Sequence, residues 1–187
     1  MQVKAMNFLE RIKSSQTIYD GHILRLEKQQ VTTPQGQTAT REIIRHAAAI
    51  ALLIITPEQK MILVKQWRAP VQKVTLEIPA GKVDERDHDD LFHAARREMN
   101  EETRLQATNL TKVATTYSSP GFTDEQITLF LATGISSVKD QLPQDQDENL
   151  QILKVSRDQA RQMVENGEID DQKTVMAVYY WLSQEDG

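Results

Sequence analysis

The sequence contains no cysteine among its 187 residues. This absence excludes disulfide scaffolds, thiolate metal sites, cysteine nucleophiles and redox switching. Histidine is scarce as well, and the four copies are scattered, which argues against a zinc site built from histidines. A basic excess is also missing, because 22 lysines and arginines stand against 27 aspartates and glutamates. A general nucleic-acid binder needs a basic face, so this class of protein is disfavoured too.

Long apolar runs are also missing. The longest one, residues 47–55, covers nine residues, about half of what a membrane-spanning helix needs. The N-terminal residues lack the unbroken apolar stretch of a signal peptide. The remaining composition, with 39% apolar and 26% charged residues, is typical of one globular domain, or of one domain with a small appendage. We therefore expect a cytoplasmic protein that binds neither membranes nor nucleic acid.

The first part of the chain has the pattern of strands and turns. Residues 23–32 and 38–46 flank the turn sequence Thr33-Pro34-Gln35-Gly36, so we predict a hairpin there. Residues 47–56, of which the first nine are apolar, have the pattern of a central strand that is buried on both faces.

Further along, apolar residues recur at helical spacing between Asp89 and Arg104, while the opposite positions are charged. The other predicted elements are strands at 61–67, 111–117, 126–133 and 150–155, and helices from Ser156 to Asn166 and from Asp170 or Asp171 to Leu182. This order predicts an α/β or α+β fold in which a mixed sheet is interleaved with helices. We expect a small N-terminal β segment over residues 1–45 and a larger domain over residues 46–187.

Three carboxylates are concentrated in the predicted helix. Glu98, Glu101 and Glu102 lie at positions i, i+3 and i+4, so they project from one face, and Arg97 can pair with Glu101. A cluster of oxygen ligands suits Mg²⁺ or Mn²⁺. The alternative is an ordinary solvent-facing helix laced with charge. The flanking Gly-Lys turn at Gly81, which follows an apolar strand and precedes the helix, favours the metal site.

These residues resemble the signature of the Nudix hydrolases, which is Gly, five residues, Glu, seven residues, then Arg-Glu-apolar-x-Glu-Glu-x-Gly. Gly81 matches the first glycine, and the core Arg97-Glu98-Met99-Asn100-Glu101-Glu102 matches without a gap. Counting back from Arg97 reaches Asp89 in place of the first Glu, which implies an insertion within residues 85–90 and Asp89 as the acid that supports the arginine. Arg104 stands where the family has a glycine, at a conformation that costs an arginine about 1 kcal/mol.

The resemblance extends to the ADP-ribose pyrophosphatase branch of the family. It is carried by the segments 41–46, 64–68 and 77–81 and by the sequence Ser-Ser-Pro-Gly-Phe-Thr-Asp-Glu at 118–125. It implies a Nudix α/β/α sandwich with a mixed sheet, preceded by the small N-terminal β segment. The substrate-binding residues implied by the resemblance are Arg45, Arg68, Ser119, Gly121 and Glu125.

The resemblance also implies a metal-dependent site. Metal ligands would be Glu98, Glu102, the carbonyl of Ala80 and an acid of the loop before the last strand. Asp145, Asp147 and Glu148 are the candidates in this loop, and we favour Glu148 as a ligand or as the base. The remaining catalytic residues would be Arg97 and Glu101. Two or three Mg²⁺ ions, or Mn²⁺, would act in each site.

The implied reaction is hydrolysis of ADP-ribose to AMP and ribose 5-phosphate. The resemblance further implies a homodimer whose subunits exchange the N-terminal segment. Two alternatives stay open. One is hydrolysis of another nucleoside diphosphate sugar, such as ADP-glucose or GDP-mannose, and the other is a Nudix-like regulator that senses ADP-ribose without cleaving it. The three retained carboxylates and the acidic balance favour the enzyme over a transcriptional regulator.

Overall fold

The structure is a computed structural model that describes residues 8–143 and 149–184. The chain divides into two compact units. The first consists of the chain up to Ala47 together with Tyr117–Glu125, and the second of Ala48–Thr116 together with the chain from Gln126 onward.

The first unit contains an antiparallel sheet of three strands in the order β1-β2-β3. These strands are β1 (Arg11–Asp20), β2 (Leu24–Thr32) and β3 (Thr38–His46). The predicted hairpin is confirmed, and Gly36 adopts a φ of 82° in its turn, a conformation that favours glycine. Every residue of β1 is exposed, whereas β2 buries Glu27, Gln29 and Val31 on one face.

The second unit is built on a mixed sheet in the order β7-β4-β9-β8. Its strands are β4 (Ala49–Ile54), β7 (Ala80–Lys82), β8 (Leu105–Tyr117) and β9 (Gln126–Ser137). β4 pairs parallel with β9 and antiparallel with β7. A second sheet, in the order β10-β5-β6, comprises β5 (Lys60–Arg68), β6 (Lys73–Glu77) and β10 (Gln151–Ser156).

Strand β4 is buried at every position, as its uniform apolar pattern predicts. Its two faces contact different cores. Ala51 and Leu53 belong to a core shared with α2 and α3, whereas Ile50 and Leu52 pack with residues of α1. Helices therefore cover both faces of the sheet, and the α/β/α sandwich is confirmed.

The helices are α1 (Leu91–Thr103), α2 (Arg157–Glu165) and α3 (Gln172–Ser183). Helix α1 is shorter than predicted because Asp90 is its N-cap, where the carboxylate accepts hydrogen bonds from two backbone N–H groups. Ser156 caps α2 as predicted, and Asp171 rather than Asp170 caps α3. Within the described ranges, no helix is long and apolar enough to cross a membrane.

Strand β8 begins at Leu105, six residues before the predicted strand, because its polar and alternating start gives little local signal. Asparagine and threonine in this segment are equally compatible with a loop.

Candidate active site

The segment between the sheet and α1 is organised by a capped 3₁₀ turn at Glu85–Asp87. The Asp84 carboxylate accepts a hydrogen bond from the Arg86 backbone N–H at 2.8 Å. In return, the Asp84 N–H donates to the Asp87 carboxylate at 3.1 Å. This reciprocal capping fixes the position of Asp87, whose side chain is buried.

Asp87 is the acid that supports the motif arginine. Arg97 donates from Nε to Asp87 Oδ1 at 2.9 Å and from Nη2 to Asp87 Oδ2 at 2.7 Å. The same guanidinium donates to the Lys82 carbonyl at 3.0 Å. This arrangement ties α1 to the end of β7 through a bidentate pair.

The prediction that Asp89 supports Arg97 is therefore wrong. Asp87 follows Gly81 after five residues, which is the family spacing, and the two additional residues lie between Asp87 and the helix. They are His88 and Asp89, which adopt φ values of 48° and 62°. Two consecutive left-handed residues let the chain absorb the insertion after the acid instead of before it. Counting forward from Gly81 would have found Asp87, whereas counting back from Arg97 passed through the insertion.

The hydrogen bonds between Asp87 and Arg97 shift the pKa of both groups. The hydrogen bonds from Arg97 outweigh burial and hold the pKa of Asp87 well below its usual range. Burial alone would lower the pKa of Arg97, but its hydrogen bonds to Asp87 and the charge of Glu98 raise it. Both groups therefore stay ionised across the physiological range.

Glu98 lies directly against the glycine of the motif. Its carboxylate accepts a hydrogen bond from Arg97 Nη1 at 2.8 Å. A Cβ atom added at Gly81 would overlap this carboxylate, so a side chain there would force the Glu98 carboxylate to move. Gly81 thus allows a close approach of Glu98 to the backbone, and it does not adopt a positive φ. The Glu98 carboxylate therefore lies beside the backbone of Gly81.

Glu101 and Glu102 are both buried to more than nine-tenths. Arg97 Nη1 donates to Glu101 Oε2 at 2.8 Å, and Arg86 approaches Glu101 Oε1 at 3.4 Å. The predicted Arg97–Glu101 pair is confirmed. Two of the three predicted carboxylates thus contact one guanidinium, which offsets the repulsion among like charges on the helix.

The oxygen donors around Gly81 fit a hard divalent cation in their chemistry, because carboxylate and carbonyl oxygens are the ligands that Mg²⁺ prefers. Among the described residues, no three acidic or histidine side chains converge into a complete metal centre. Glu148, Asp145 and Asp147 lie outside the described residues.

The C-terminal end of α1 is fixed by Asn100 and Arg104. Arg104 adopts a φ of 61°, the left-handed conformation that the motif position demands. Its guanidinium donates to the Leu142 carbonyl. Asn100 donates to the Asp140 carbonyl at 2.9 Å and accepts from the Leu142 N–H at 3.1 Å. These bonds tie the end of α1 to the backbone of residues 140 and 142.

Arg68, at the end of β5, is held by Glu77 at the end of β6. Arg68 donates from Nε and from Nη2 to the two Glu77 oxygens at 2.7 and 2.8 Å. Pattern reasoning did not single out Glu77, because its partner becomes visible only when the Arg68–Lys73 register of the hairpin is known.

In the first unit, Arg45 contacts two acids. It donates to Glu27 Oε2 at 3.2 Å and to Asp124 Oδ2 at 3.0 Å. Glu27 lies one strand away on β2, and Asp124 also accepts a hydrogen bond from the His46 N–H. Sequence reasoning missed both acids. Asp124 was inside the segment 118–125 that carries the resemblance, but nothing in its spacing pointed to Arg45.

The predicted residues of the Ser-Pro-Gly segment belong to the same unit. The Ser119 carbonyl accepts from the N–H groups of Phe122 and Thr123, which closes a tight turn. The Glu125 carboxylate lies 3.3 Å from His46 Nδ1. A Cβ atom at Gly121 would meet open space, so nothing in the fold itself demands glycine there.

Comparisons with known proteins agree with this geometry. The family profile of the NUDIX domain matches residues 44–178. An ADP-ribose pyrophosphatase of Bacillus subtilis is 37% identical over 171 residues, 91% of each chain. A methanol dehydrogenase activator of Bacillus methanolicus is 37% identical over 178 residues, 95% of each chain. A crystal structure of an ADP compounds hydrolase superposes with a TM-score of 0.84 at 18% identity and covers 96% of both chains, which indicates a shared fold. The profile match over most of the chain shows that this protein belongs to the Nudix family.

Proposed function

We propose that this protein hydrolyses the diphosphate bond of ADP-ribose and releases AMP and ribose 5-phosphate. The observation that carries the proposal is the Arg97 network, which holds Glu98 against Gly81 and binds Glu101 through the same guanidinium. The similarity to an ADP-ribose pyrophosphatase over 91% of both chains supports ADP-ribose as the substrate.

The metal ligands in this proposal are Glu98, Glu102 and the carbonyl of Ala80, with Glu148 as a further ligand or as the base. Mg²⁺, or Mn²⁺ in its place, would number two or three per site. Bound there, the metal neutralises the diphosphate charge and lowers the pKa of a water molecule.

The chain's own residues bind and orient the substrate. Arg45 and Arg68 suit an anionic diphosphate because a planar guanidinium donates two hydrogen bonds at once. Ser119, Gly121 and Glu125 would contact the rest of the substrate. An acid of the 145–148 segment, Glu148 in preference to Asp145 or Asp147, takes the proton from the attacking water.

We also propose that the protein is a cytoplasmic homodimer whose subunits exchange the N-terminal segment. Strand β1 exposes Ile12, Ile18 and Tyr19 by 61, 51 and 59%. Covering this apolar surface with a second copy removes it from water. Size-exclusion chromatography with light scattering at micromolar concentration tests this, and a monomer contradicts it.

The function is tested by incubating the protein with Mg²⁺ and ADP-ribose, ADP-glucose or GDP-mannose, and identifying the products. We expect AMP and ribose 5-phosphate from ADP-ribose at the highest kcat/KM. Glu102→Gln should lower kcat by about 100-fold or more, because it removes a charged metal ligand. Glu165→Gln, at the exposed end of α2, is the matched control and should change nothing.

Each alternative predicts a different result in the same assay. Preferential cleavage of ADP-glucose or GDP-mannose would show that the substrate is another nucleoside diphosphate sugar, while the reaction would still be hydrolysis of a diphosphate bond. Binding of ADP-ribose without any product would favour a sensing regulator. Full activity of Glu102→Gln at limiting Mg²⁺ would refute the metal assignment.

A further inference from the structure

Glu77 is a buried carboxylate that the proposed chemistry does not use. It ends β6, three residues before Ala80, and its side chain is only 3% exposed. Four donor groups converge on its two oxygens. They are Arg68 Nε and Nη2, the Thr75 hydroxyl at 2.6 Å and the Lys173 ammonium from α3.

These four donor groups keep the Glu77 carboxylate ionised. Burial alone would raise the pKa of Glu77, but the hydrogen bond from Arg68 and the charge of Lys173 lower it to about 2. Because the carboxylate is always charged near neutral pH, Arg68 has a permanent anchor. Lys173 is itself shared with Asp171, the N-cap of α3, at 3.0 Å.

The anchor occupies one edge of the guanidinium and leaves the other available. Both Glu77 bonds use Nε and Nη2, and within the described ranges Nη1 makes no hydrogen bond. The Arg68 side chain is 43% exposed, in contrast to the 3% of Glu77. The pair with Glu77 already restricts the rotation of the Arg68 side chain. Binding of an anion at the opposite edge therefore costs less conformational entropy than binding to a freely rotating arginine would.

A carboxylate of helix α1 also affects the pKa of Arg68. The charge of Glu102 adds to those of Glu77 and Asp171 in raising the pKa of Arg68, after the larger effect of the Glu77 hydrogen bond. Of these three charges, that of Glu102 has the smallest effect on Arg68.

We propose that Glu77 is a positioning residue that orients Arg68 for the diphosphate of the substrate. This inference rests on the proposed function, in which Arg68 contacts the phosphates. Glu77 itself touches no substrate. Its removal should act on substrate affinity, because the chemistry depends on the metal ligands and on the base.

The test compares four variants with the wild type in steady-state hydrolysis of ADP-ribose. They are Glu77→Gln, Arg68→Ala, the double variant and Lys173→Met. Glu77→Gln should raise KM about tenfold with kcat within about twofold, as expected when one ordered side chain is released. Arg68→Ala should raise KM at least as much. The double variant should match Arg68→Ala, because Glu77 acts only through Arg68.

Lys173→Met is the matched control, since it removes one partner of Glu77 and leaves the Arg68 pair intact. It should leave KM within about twofold of the wild type. Calorimetric titration with ADP-ribose in EDTA measures how each substitution changes the affinity without turnover. Circular dichroism and thermal unfolding verify that each variant is folded at the assay temperature.

The possible failures are distinguishable. An unchanged KM in Glu77→Gln, with a raised KM in Arg68→Ala, overturns the positioning role and leaves the proposed function standing. An equal rise in Lys173→Met overturns it too, because the effect would then be a general loosening of the cluster. If the wild type binds ADP-ribose in EDTA but does not cleave it when Mg²⁺ is supplied, the proposed function fails, and the affinities still decide the role of Glu77.

Discussion

Two arginines of the second unit are each held by a carboxylate through two hydrogen bonds, yet their surroundings differ. The Arg97 side chain is 6% exposed, and its hydrogen bonds to Asp87, Glu98 and Glu101 occupy it within the protein. The Arg68 side chain is 43% exposed and is bonded along a single edge.

The difference indicates separate roles for the same pair of residue types. A buried guanidinium bonded on every side fixes the elements around it and has no capacity left for a ligand. A guanidinium anchored by one edge keeps donors for a partner from solution. The resemblance assigned Arg68 to substrate binding and Arg97 to catalysis, but the exposure and the number of partners of each arginine are visible only in the structure.

The largest effect is expected at the buried pair. Asp87→Asn should lower the free energy of unfolding by about 3 to 5 kcal/mol, because it leaves the Arg97 charge short of its main partner in the interior. Guanidinium chloride unfolding measures the change. Asp89→Asn is the matched control, since Asp89 is exposed, and it should stay within about 0.5 kcal/mol. Equal losses in the two variants would contradict the assignment of Asp87.

An intermediate effect is expected from the acid titration of Glu77. Because its folded-state pKa is lowered from 4.5 to about 2, its stabilisation is present above pH 4.5 and is lost as the pH falls towards 2. This loss amounts to about 3 kcal/mol. Unfolding curves between pH 6 and 3 for the wild type and for Glu77→Gln measure it. The stability difference between the two proteins should shrink on acidification, and a constant difference would refute the assigned pKa.

The smallest effect concerns a third arginine, Arg104, whose partners are backbone carbonyls instead of carboxylates. Arg104→Ala should destabilise by about 1 kcal/mol, because it loses the bond to the Leu142 carbonyl and keeps the left-handed backbone. Arg104→Gly loses the same bond but relieves the strain, so it should be nearly neutral. Thermal unfolding of the pair separates the two contributions. A glycine variant less stable than the alanine variant would contradict this division.

Much of the fold follows from local pattern. The uniform apolar run at 47–55 predicted the buried strand β4, and Ser156 predicted the start of α2. The start of β8 was missed because its polar alternation resembles a loop, and the order of β4 between β7 and β9 depends on pairings far apart in sequence.

The site shows the same division. Gly81, Arg97 and the three glutamates were found from spacing, and the structure brings Glu98 to Gly81 and Glu101 to Arg97. Asp87 was missed because the two inserted residues, His88 and Asp89, shifted the spacing that was counted back from Arg97. Glu77, Lys173, Glu27 and Asp124 were missed because their contacts span sheet registers and separate elements.

The sequence by itself determined which side chains lie on one face of α1 and which strand is central, because helical and extended periodicities act over a few residues. Only the tertiary structure decided between Asp87 and Asp89 as the acid that supports Arg97, and only there is it visible that Arg68 keeps an exposed edge. Spacing along one helix predicts a pair such as Arg97 and Glu101, whereas pairs such as Arg68 and Glu77 depend on which separate segments meet.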